Sequence, residues 1–318
     1  MHALTRGLVN LITNNYLFVE ENMNIQFLNG GLANQVFQYI FLRYAELSHP
    51  GCEPWFLDDS FFFVNNVHNG YELERVFNIK ANLLSKAFEE DVWEEFIKNK
   101  KNGISIPQTL KNFDTDIIMY AETDNYRDFN PFDGNIISTF PANEFHPEVT
   151  SINYPNVYYH GYWINKNWFA SYKDIMLKEL SFPEIPIASA KAYADQILTT
   201  PSVAVHIRRG DYVNIGWALP MDYYAQAMHT FSQEVNGFTL FVFSDDLEWC
   251  QENAKDLGLE YAKEVVYVSG NKGQNSYLDM QLMGMCKGMV MSNSAFCYLA
   301  ALMNQRLELY INPTRREV

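Results

Sequence analysis

The chain has few cysteines and no arrangement of them that suggests a covalent or metal-built fold. Its four cysteines, Cys52, Cys250, Cys286 and Cys297, form no C-x-x-C pair, and no cluster of histidines and cysteines has zinc-ligand spacing. The pattern argues against a disulfide scaffold and against a structural zinc site. It predicts buried thiols in a reducing compartment.

Positive charge is also scarce. The chain carries 23 Lys and Arg against 38 Asp and Glu, which gives a formal net charge of −15. A protein that binds nucleic acid needs a basic surface that displaces counterions from the phosphate backbone. The composition therefore predicts no nucleic-acid partner, and any anionic ligand has to meet a locally basic site.

Long hydrophobic runs are missing as well. The most apolar N-terminal segment, residues 8–19, is interrupted by Asn10, Thr13, Asn14 and Asn15, and no small-residue cleavage site follows it. We expect no membrane span and no signal peptide. The expected location is the cytoplasm, with peripheral contact at the inner face of the membrane left open. Residues 1–22 are expected to be an extension outside the fold.

What the sequence does have is enough apolar material for two domain cores, since 48% of its 318 residues are hydrophobic and 15% aromatic. Residues 24–28, 35–47 and 54–57 read as strand, helix and strand around a glycine loop at 29–34. The region 60–155 shows no clear order of elements.

Beyond residue 202 strands and helices alternate regularly, and strands are predicted at 203–207, 239–243, 265–268, 289–291 and 307–311. Helical segments fill every interval between them except 270–275. Short β-rich runs alternating with helices predict a parallel sheet. We place the boundary between two α/β domains near residue 160.

Polar residues cluster directly after the strands of this second half, at the sheet edge where open α/β folds bind ligands. The clusters are Arg208, Arg209 and Asp211; Ser244, Asp245 and Asp246; Ser269; and Ser292, Asn293 and Ser294. A guanidinium can fork onto two phosphate oxygens, so Arg208 is the candidate for holding a diphosphate. The alternative is a structural ion-pair network of the two arginines with Asp211.

Three further features have one functional and one structural interpretation each. Gly30 and Gly31 precede a helix, where an anion can approach the backbone, but the turn lacks G-x-G-x-x-G spacing and Asn34 can simply cap the helix. The Ser292 to Ser294 junction can bind phosphate or merely start a helix. Asp279 can accept from a guanine edge or face water.

In the segment from Phe243 to Asp246 the two aspartates resemble a metal-binding pair. An aspartate between a strand and a helix is at least as often a helix cap or an acceptor for a ribose hydroxyl. We favour the interpretation without a metal.

These pieces occur in a known order: Gly30-Gly31-Leu32-Ala33-Asn34-Gln35-Val36-Phe37-Gln38-Tyr39, His160-Gly161-Tyr162-Trp163, His206-Ile207-Arg208-Arg209-Gly210-Asp211-Tyr212, Phe243-Ser244-Asp245-Asp246 and Ser292-Asn293-Ser294-Ala295-Phe296. The chain resembles family 11 glycosyltransferases, the α1,2-fucosyltransferases. The resemblance implies an α/β fold of GT-B type, with two Rossmann-like domains facing a cleft. Residues 23–160 would form the acceptor-side domain and 161–318 the GDP-fucose-binding domain.

The resemblance also implies roles for individual residues. Arg208 would clasp the β-phosphate, Asp279 would read guanine, and Asn34 would lie near the fucose and the incoming hydroxyl. Asp211 would either take the hydroxyl proton or fix Arg208. The remaining donor-side residues implied are Gly30, Gly31, Gln35, His206, Arg209, Ser244, Asp245, Ser292, Asn293 and Ser294.

The implied reaction is an inverting, metal-independent transfer of fucose from GDP-β-L-fucose to the 2-hydroxyl of a galactose-terminated glycan in bacterial surface glycan synthesis. Ala33, Val36, Ala295 and the pair Cys297-Tyr298 depart from the usual family pattern. A transferase for another nucleotide sugar and a non-catalytic glycan-binding relative therefore remain alternatives. The sequence leaves the oligomeric state open.

Overall fold

The structure is a computed structural model that describes residues 23–51, 54–122 and 136–313. The chain divides into two compact units, one ending at Ser181 and the other beginning at Phe182. The predicted extension at residues 1–22 and Cys52 lie outside the described residues. No described helix is long and apolar enough to cross a membrane.

The first unit is built on a five-stranded parallel sheet of order β2-β1-β5-β3-β4. Its strands are β1 Asn24–Phe27, β2 Trp55–Asp58, β3 Ile118–Glu122, β4 Ile136–Phe140 and β5 Val157–His160. Its helices are α1 Leu32–Ser48, α2 Phe61–Val64, α3 Leu73–Phe77, α4 Glu90–Lys101, α5 Ile106–Asn112, α6 Lys166–Ala170 and α7 Lys173–Glu179. Single 3₁₀ turns lie at Leu84–Lys86 and Pro147–Thr150.

The boundary between the units lies further along the chain than the predicted residue 160, because α6 and α7 pack back onto α1. The Trp168 indole contacts Phe41 and Tyr44 edge-on, with ring centroids 5.3 and 4.9 Å apart. Glu179 accepts hydrogen bonds from Arg43 Nε at 3.0 Å and from Tyr39 Oη at 2.7 Å. These contacts join residues that are distant in sequence, so no local sequence pattern predicts them.

The second unit contains another five-stranded parallel sheet, of order β10-β9-β6-β7-β8. Its strands are β6 Ser202–Ile207, β7 Thr239–Ser244, β8 Glu264–Tyr267, β9 Gly288–Val290 and β10 Leu309–Ile311. Its helices are α8 Ala188–Thr199, α9 Gly210–Asn214, α10 Met221–Glu234, α11 Leu247–Glu252, α12 Tyr277–Met283 and α13 Ala295–Met303, with 3₁₀ turns at Leu259–Tyr261 and Gly273–Asn275. The predicted strands are confirmed to within a residue or two.

The path of the chain through this second sheet fixes which face each helix covers. From β6 the chain advances through α10 to β7 and through α11 to β8, then returns through α12 to β9 on the other side of β6. Because β–α–β crossovers are right-handed, α10 and α11 lie on one face, and α12 and α13 on the other. Contacts of α12 with α8 and α13 agree with this.

Adjacent strands β6 and β9 therefore send their carboxyl-end loops toward opposite faces of the sheet. This is the topological switch point, where open α/β sheets form a ligand-binding crevice. The predicted polar clusters after β6 and β9 both belong to it.

Trp168 tests the assignment of α6 to the first unit. Its indole is fully buried, so Trp168→Ala should lower the free energy of unfolding by about 3–5 kcal/mol. Leu198, half-exposed on α8, is the control, and Leu198→Ala should stay within about 0.5 kcal/mol of the parent. Urea unfolding followed by circular dichroism measures both. Equal stabilities would show that α6 is not part of the core.

Candidate active site

A hydrogen bond joins the end of β6 to the loop after β9 at the switch point. His206, near the end of β6, lies 2.7 Å through Nδ1 from Ser292 Oγ, in the loop after β9. Burial, reinforced by the charge on Arg208, lowers the pKa of His206 to about 3. The imidazole is therefore neutral near pH 7 and serves to join the two loops rather than to exchange protons.

Arg208 is the cation of this crevice. Its Nη2 donates to Asp211 Oδ1 at 2.7 Å and its Nη1 lies 2.8 Å from Asp245 Oδ2, while its Cζ lies 5.4 Å from the centre of the Tyr212 ring. The side chain remains 32% exposed. A guanidinium has five N–H donors, so these two carboxylates fix its plane and leave donors for an anion.

Asp245 hydrogen-bonds to the backbone at the turn that contains the two arginines. Its Oδ1 accepts the Arg209 backbone N–H at 2.9 Å, while Oδ2 pairs with Arg208. A Cβ on Gly210 would lie 2.6 Å from the same Oδ2, which explains the glycine that follows the arginines. Asp245, predicted on the donor side, thus orients Arg208 together with Asp211.

Arg209, predicted on the donor side, makes an ion pair and a stacking contact within the protein. Its Nε donates to Asp246 Oδ2 at 3.1 Å, and its guanidinium lies 3.5 Å from the centre of the Trp249 ring. Ion pairing and stacking together occupy the guanidinium plane. These contacts fit the structural interpretation of Arg209, and its contact with the donor stays a prediction.

Ser244 and Asp246 also satisfy local backbone groups. Ser244 Oγ accepts from the Asp246 N–H at 3.0 Å, and Asp246 Oδ1 caps α11 by accepting from the Trp249 N–H at 3.2 Å. This is the helix cap that the sequence offered as one interpretation of the strand end.

The loop after β9 supplies a helix start. Ser294 is the N-cap of α13, its Oγ accepting from the Phe296 N–H at 3.2 Å, and its side chain also hydrogen-bonds to Tyr212. Asn293 Nδ2 donates to the carbonyl of Trp217 at 2.9 Å, which ties this loop to the one after β6. No acidic residue lies in the first turn of α13 to oppose an anion.

Asp279, on α12, is largely buried and does not simply face water. Its Oδ1 accepts from Asn271 Nδ2 at 2.8 Å. Burial raises the pKa of Asp279 to about 6, and the hydrogen bond from Asn271 opposes the rise. Within the described part of the chain, the buried Asn271 Oδ1 has no hydrogen-bond donor. Asp279 and Asn271 are thus hydrogen-bonded neighbours, and the Asn271 Oδ1 acceptor is unused.

In the first unit, the glycine turn after β1 is shorter than the predicted loop at 29–34, because α1 begins at Leu32. Gly30 has a left-handed φ of 76° and Gly31 is the N-cap of α1. Asn34 lies inside the first turn of α1 rather than at the cap, and its half-exposed amide covers Gly30: a Cβ there would lie 2.6 Å from Asn34 Nδ2.

Gln35, predicted on the donor side, makes its hydrogen bonds within the protein. It is fully buried, its Nε2 donates to the carbonyls of Gly30 and Gly70 at 3.0 and 2.9 Å, and its Oε1 accepts from the Glu72 N–H at 2.9 Å. Two donors and an acceptor are thereby satisfied within the protein. Gln35 fixes the shape of the glycine turn.

Several residues at these places were not singled out from the sequence. Their partners are distant in the chain, so spacing gives no signal for them. His68 has its Nδ1 3.5 Å from where a Cβ on Gly31 would lie, Trp249 stacks on Arg209, Asn271 faces Asp279, and Trp217 accepts from Asn293. The predicted burial of thiols is confirmed for Cys250, Cys286 and Cys297.

Comparison with known proteins places this chain among glycosyltransferases. An α1,2-colitosyltransferase of Escherichia coli is 28% identical over 296 residues, which cover 90% of each chain. The O-antigen biosynthesis glycosyltransferase WbnK of Escherichia coli is 32% identical over 111 residues, covering 32% of this chain and 34% of that protein. The crystal structure of fucosyltransferase NodZ from Bradyrhizobium matches with a TM-score of 0.53 at 12% identity, over 90% of this chain and 94% of that one.

The match to NodZ concerns the fold, and it confirms the predicted α/β class of GT-B type with two Rossmann-like units. The profile described as glycosyl transferase family 11 matches residues 142–317. The resemblance seen in the sequence blocks is therefore confirmed. Because that profile spans more than half of the chain, this glycosyltransferase belongs to glycosyl transferase family 11.

Proposed function

We propose that this protein transfers L-fucose from GDP-β-L-fucose to the 2-hydroxyl of a galactoside, with inversion to an α1,2 link, in bacterial surface glycan synthesis. The observation that carries the proposal is Arg208, held by Asp211 and Asp245 at the switch point. The family supports glycosyl transfer. The colitosyltransferase and O-antigen relatives support an α1,2 link and a cell-surface product.

The diphosphate of the donor is proposed to bind between Arg208 and the start of α13. In an acidic protein, Arg208 offers directed donors at a point where β9 adds a helix N-terminus capped by Ser294. Charge builds on the diphosphate as its bond to the sugar breaks, so these groups stabilise the transition state more than the bound donor. They supply the charge that a divalent metal supplies elsewhere, and we propose that the reaction needs none.

The guanine is proposed to bind at Asp279 and Asn271. A guanine edge presents N–H groups at N1 and N2, and these require acceptors. Asp279 offers a carboxylate, and the buried Asn271 Oδ1 has no hydrogen-bond donor among the described residues, so both are proposed as acceptors. A buried acceptor without a donor is costly, so a ligand that donates to it gains specificity as well as affinity.

In the proposed step the acceptor 2-oxygen attacks the anomeric carbon of fucose, the bond from that carbon to the β-phosphate oxygen breaks, and GDP leaves with the electron pair. The hydroxyl proton needs an acceptor. Asp211 uses one oxygen for Arg208 and is 62% exposed, so its second oxygen is the proposed base. The roles of Asn34, Gly30 and Gly31 in the first unit remain predictions from the resemblance.

Colitose is the second candidate for the transferred sugar, because one relative is a colitosyltransferase that covers nearly the whole chain. Colitose is fucose without its 3-hydroxyl, so the diphosphate and guanine contacts proposed above suit either donor. The protein is proposed to act in the cytoplasm on acceptors presented at the inner face of the membrane.

Arg208 provides the first test. We expect release of GDP from GDP-fucose with lactose in the presence of EDTA, and we expect Arg208→Ala to lower turnover by about 10²–10³. Arg208→Lys should recover only part of the rate, since an ammonium lacks the fork. Lys255→Ala, an exposed change on the same unit, is the control. A coupled assay for GDP measures all four proteins, and GDP-colitose is tested in parallel.

Each other result has a defined meaning. Turnover that EDTA abolishes would contradict metal independence. Turnover with GDP-colitose alone would replace fucose as the donor. An unchanged rate in Arg208→Ala, or a parent that does not bind GDP, would contradict the proposed diphosphate site.

The pKa of Asp279 predicts how GDP binding depends on pH. Asp279 has to be ionised to accept from guanine, so GDP affinity should fall as pH drops through about 6, by up to about tenfold per pH unit. His206, with a pKa of about 3, does not titrate in this range. Isothermal titration between pH 5 and 8 measures the dependence.

The GDP phosphate also takes up a proton in this range, and Asp279→Asn separates the two contributions. That variant should bind GDP about 10- to 100-fold more weakly at pH 8 and should keep only the shallower dependence of the phosphate. Identical pH profiles for the variant and the parent would remove Asp279 from the guanine site.

A further inference from the structure

The structure points to a subsite for the acceptor sugar on the surface beside Arg208. We propose that Trp217 is the platform on which the ring of the acceptor galactoside stacks, and that it sets acceptor preference. The inference rests on the proposed function and names a binding residue that the donor chemistry does not require.

The segment that leaves the arginine turn exposes large apolar side chains. Val213, Ile215 and Trp217 are 48%, 53% and 52% exposed. Single exposed hydrophobic residues are ordinary, but three within five residues concentrate exposed apolar surface in one short segment, a feature that often marks a binding site. An indole is also the side chain with the largest apolar face to offer.

Trp217 is held rigidly although its side chain is open. Its backbone N–H donates to the Tyr212 carbonyl at 2.8 Å and its carbonyl accepts from Asn293 Nδ2 at 2.9 Å. Gly216, with a φ of 71°, makes the turn that precedes it. The indole meets the Tyr212 ring edge-on, with centroids 5.6 Å apart and planes at 87°. A fixed aromatic face loses little conformational entropy when a ligand binds.

The platform borders the proposed diphosphate site through two shared neighbours. Tyr212 contacts both the Trp217 indole and the Arg208 guanidinium, whose Cζ lies 5.4 Å from its ring centre. Asn293, which bonds to Trp217, precedes the Ser294 cap of α13. The indole thus lies next to the groups that would hold the departing diphosphate, where the acceptor must also approach.

The topology of the sheet separates this platform from the guanine site. Trp217 lies in the connection from β6 that leads to α10, on one face of the sheet. Asp279 lies on α12, which the reversed crossover puts on the opposite face. The nucleobase and the indole therefore belong to different sides of the crevice, which leaves the indole for the sugar end.

A galactoside suits this surface. One face of a β-galactose ring carries a patch of C–H groups, while its hydroxyls project elsewhere. An aromatic face packs against such a patch, and residues of this type dominate binding energy where they are partly exposed before binding. The 2-hydroxyl remains free to react because stacking uses the C–H face.

Kinetics with lactose and GDP-fucose test the platform. Trp217→Ala should raise the KM for lactose about tenfold, from the loss of an aromatic contact of about 1 kcal/mol and its apolar area, while the KM for GDP-fucose and the affinity for GDP stay unchanged. Trp217→Phe should lie between Ala and the parent. Tyr261→Ala removes another exposed aromatic of the same unit and should have no effect.

A binding measurement separates this inference from the proposed function. In ¹⁵N–¹H spectra of the GDP-bound protein, the Trp217 indole signal, identified by its loss in Trp217→Phe, should move as lactose is added, whether or not turnover occurs. Turnover that fails with an indole that responds would contradict the proposed transfer alone.

Four results would overturn the platform. The first is an indole signal that does not respond to lactose, and the second is an unchanged lactose KM in Trp217→Ala. The third is a change in Trp217→Ala that is confined to the KM for GDP-fucose or to GDP affinity, and the fourth is a loss of binding of Trp217→Ala to anionic lipid vesicles with the lactose KM unchanged. The third would assign the indole to the donor, and the fourth would assign the exposed segment to a membrane surface.

Discussion

The right-handedness of β–α–β crossovers is the constraint on which the site of this protein depends. Because the second sheet begins at β6 and is extended in both directions, the loops after β6 and β9 diverge toward opposite faces. The crevice between them is a consequence of chain direction and handedness. The buried His206 to Ser292 hydrogen bond joins the end of β6 to the loop after β9, and burial keeps the histidine neutral, so this link adds no charge to the site.

In this acidic protein, the proposed diphosphate would bind to Arg208, whose guanidinium is held in place by two carboxylates. The formal charge of −15 would oppose a diphosphate at long range, although salt screens much of that field. At short range, Asp211 and Asp245 fix the plane of Arg208 without burying it. Partly exposed ion pairs are weak in water, so an arriving phosphate can compete for the guanidinium at little cost. Arg209 instead uses its charge to anchor the turn.

The second unit could be predicted from its sequence because its signals are local. Strands such as β6 and β7 are continuous apolar runs, and the polar residues after them mark the carboxyl edge. The first unit is harder to predict from its sequence, because residues 60–155 contain the short helices α2, α3 and α5, of four to seven residues. Helices this short are stabilised by packing against the rest of the unit and show no clear sequence periodicity. The position of the boundary depended on Trp168 and Glu179 contacting α1, which no local rule reveals.

Individual site residues divide in the same way. The sequence predicts Arg208 and Ser294 as phosphate ligands because their residue types stand directly after strands, and that role stays a prediction. Gln35 and Arg209 lie in the same motifs as other predicted site residues, yet both contact residues far away in sequence. Gln35 donates to the Gly70 carbonyl, and Arg209 stacks on Trp249. Asn271 and Trp217 have no motif, and only the folded chain places them beside Asp279 and Tyr212.

A crystal structure of the complex with GDP tests the central claim most directly. We predict that the β-phosphate contacts the Arg208 guanidinium and the start of α13 at Ser294, with guanine against Asp279 and Asn271. GDP bound at the Gly30–Gly31 turn of the first unit, or bound to the second unit without contact to Arg208, would contradict the claim that the β6 and β9 switch point is the donor site.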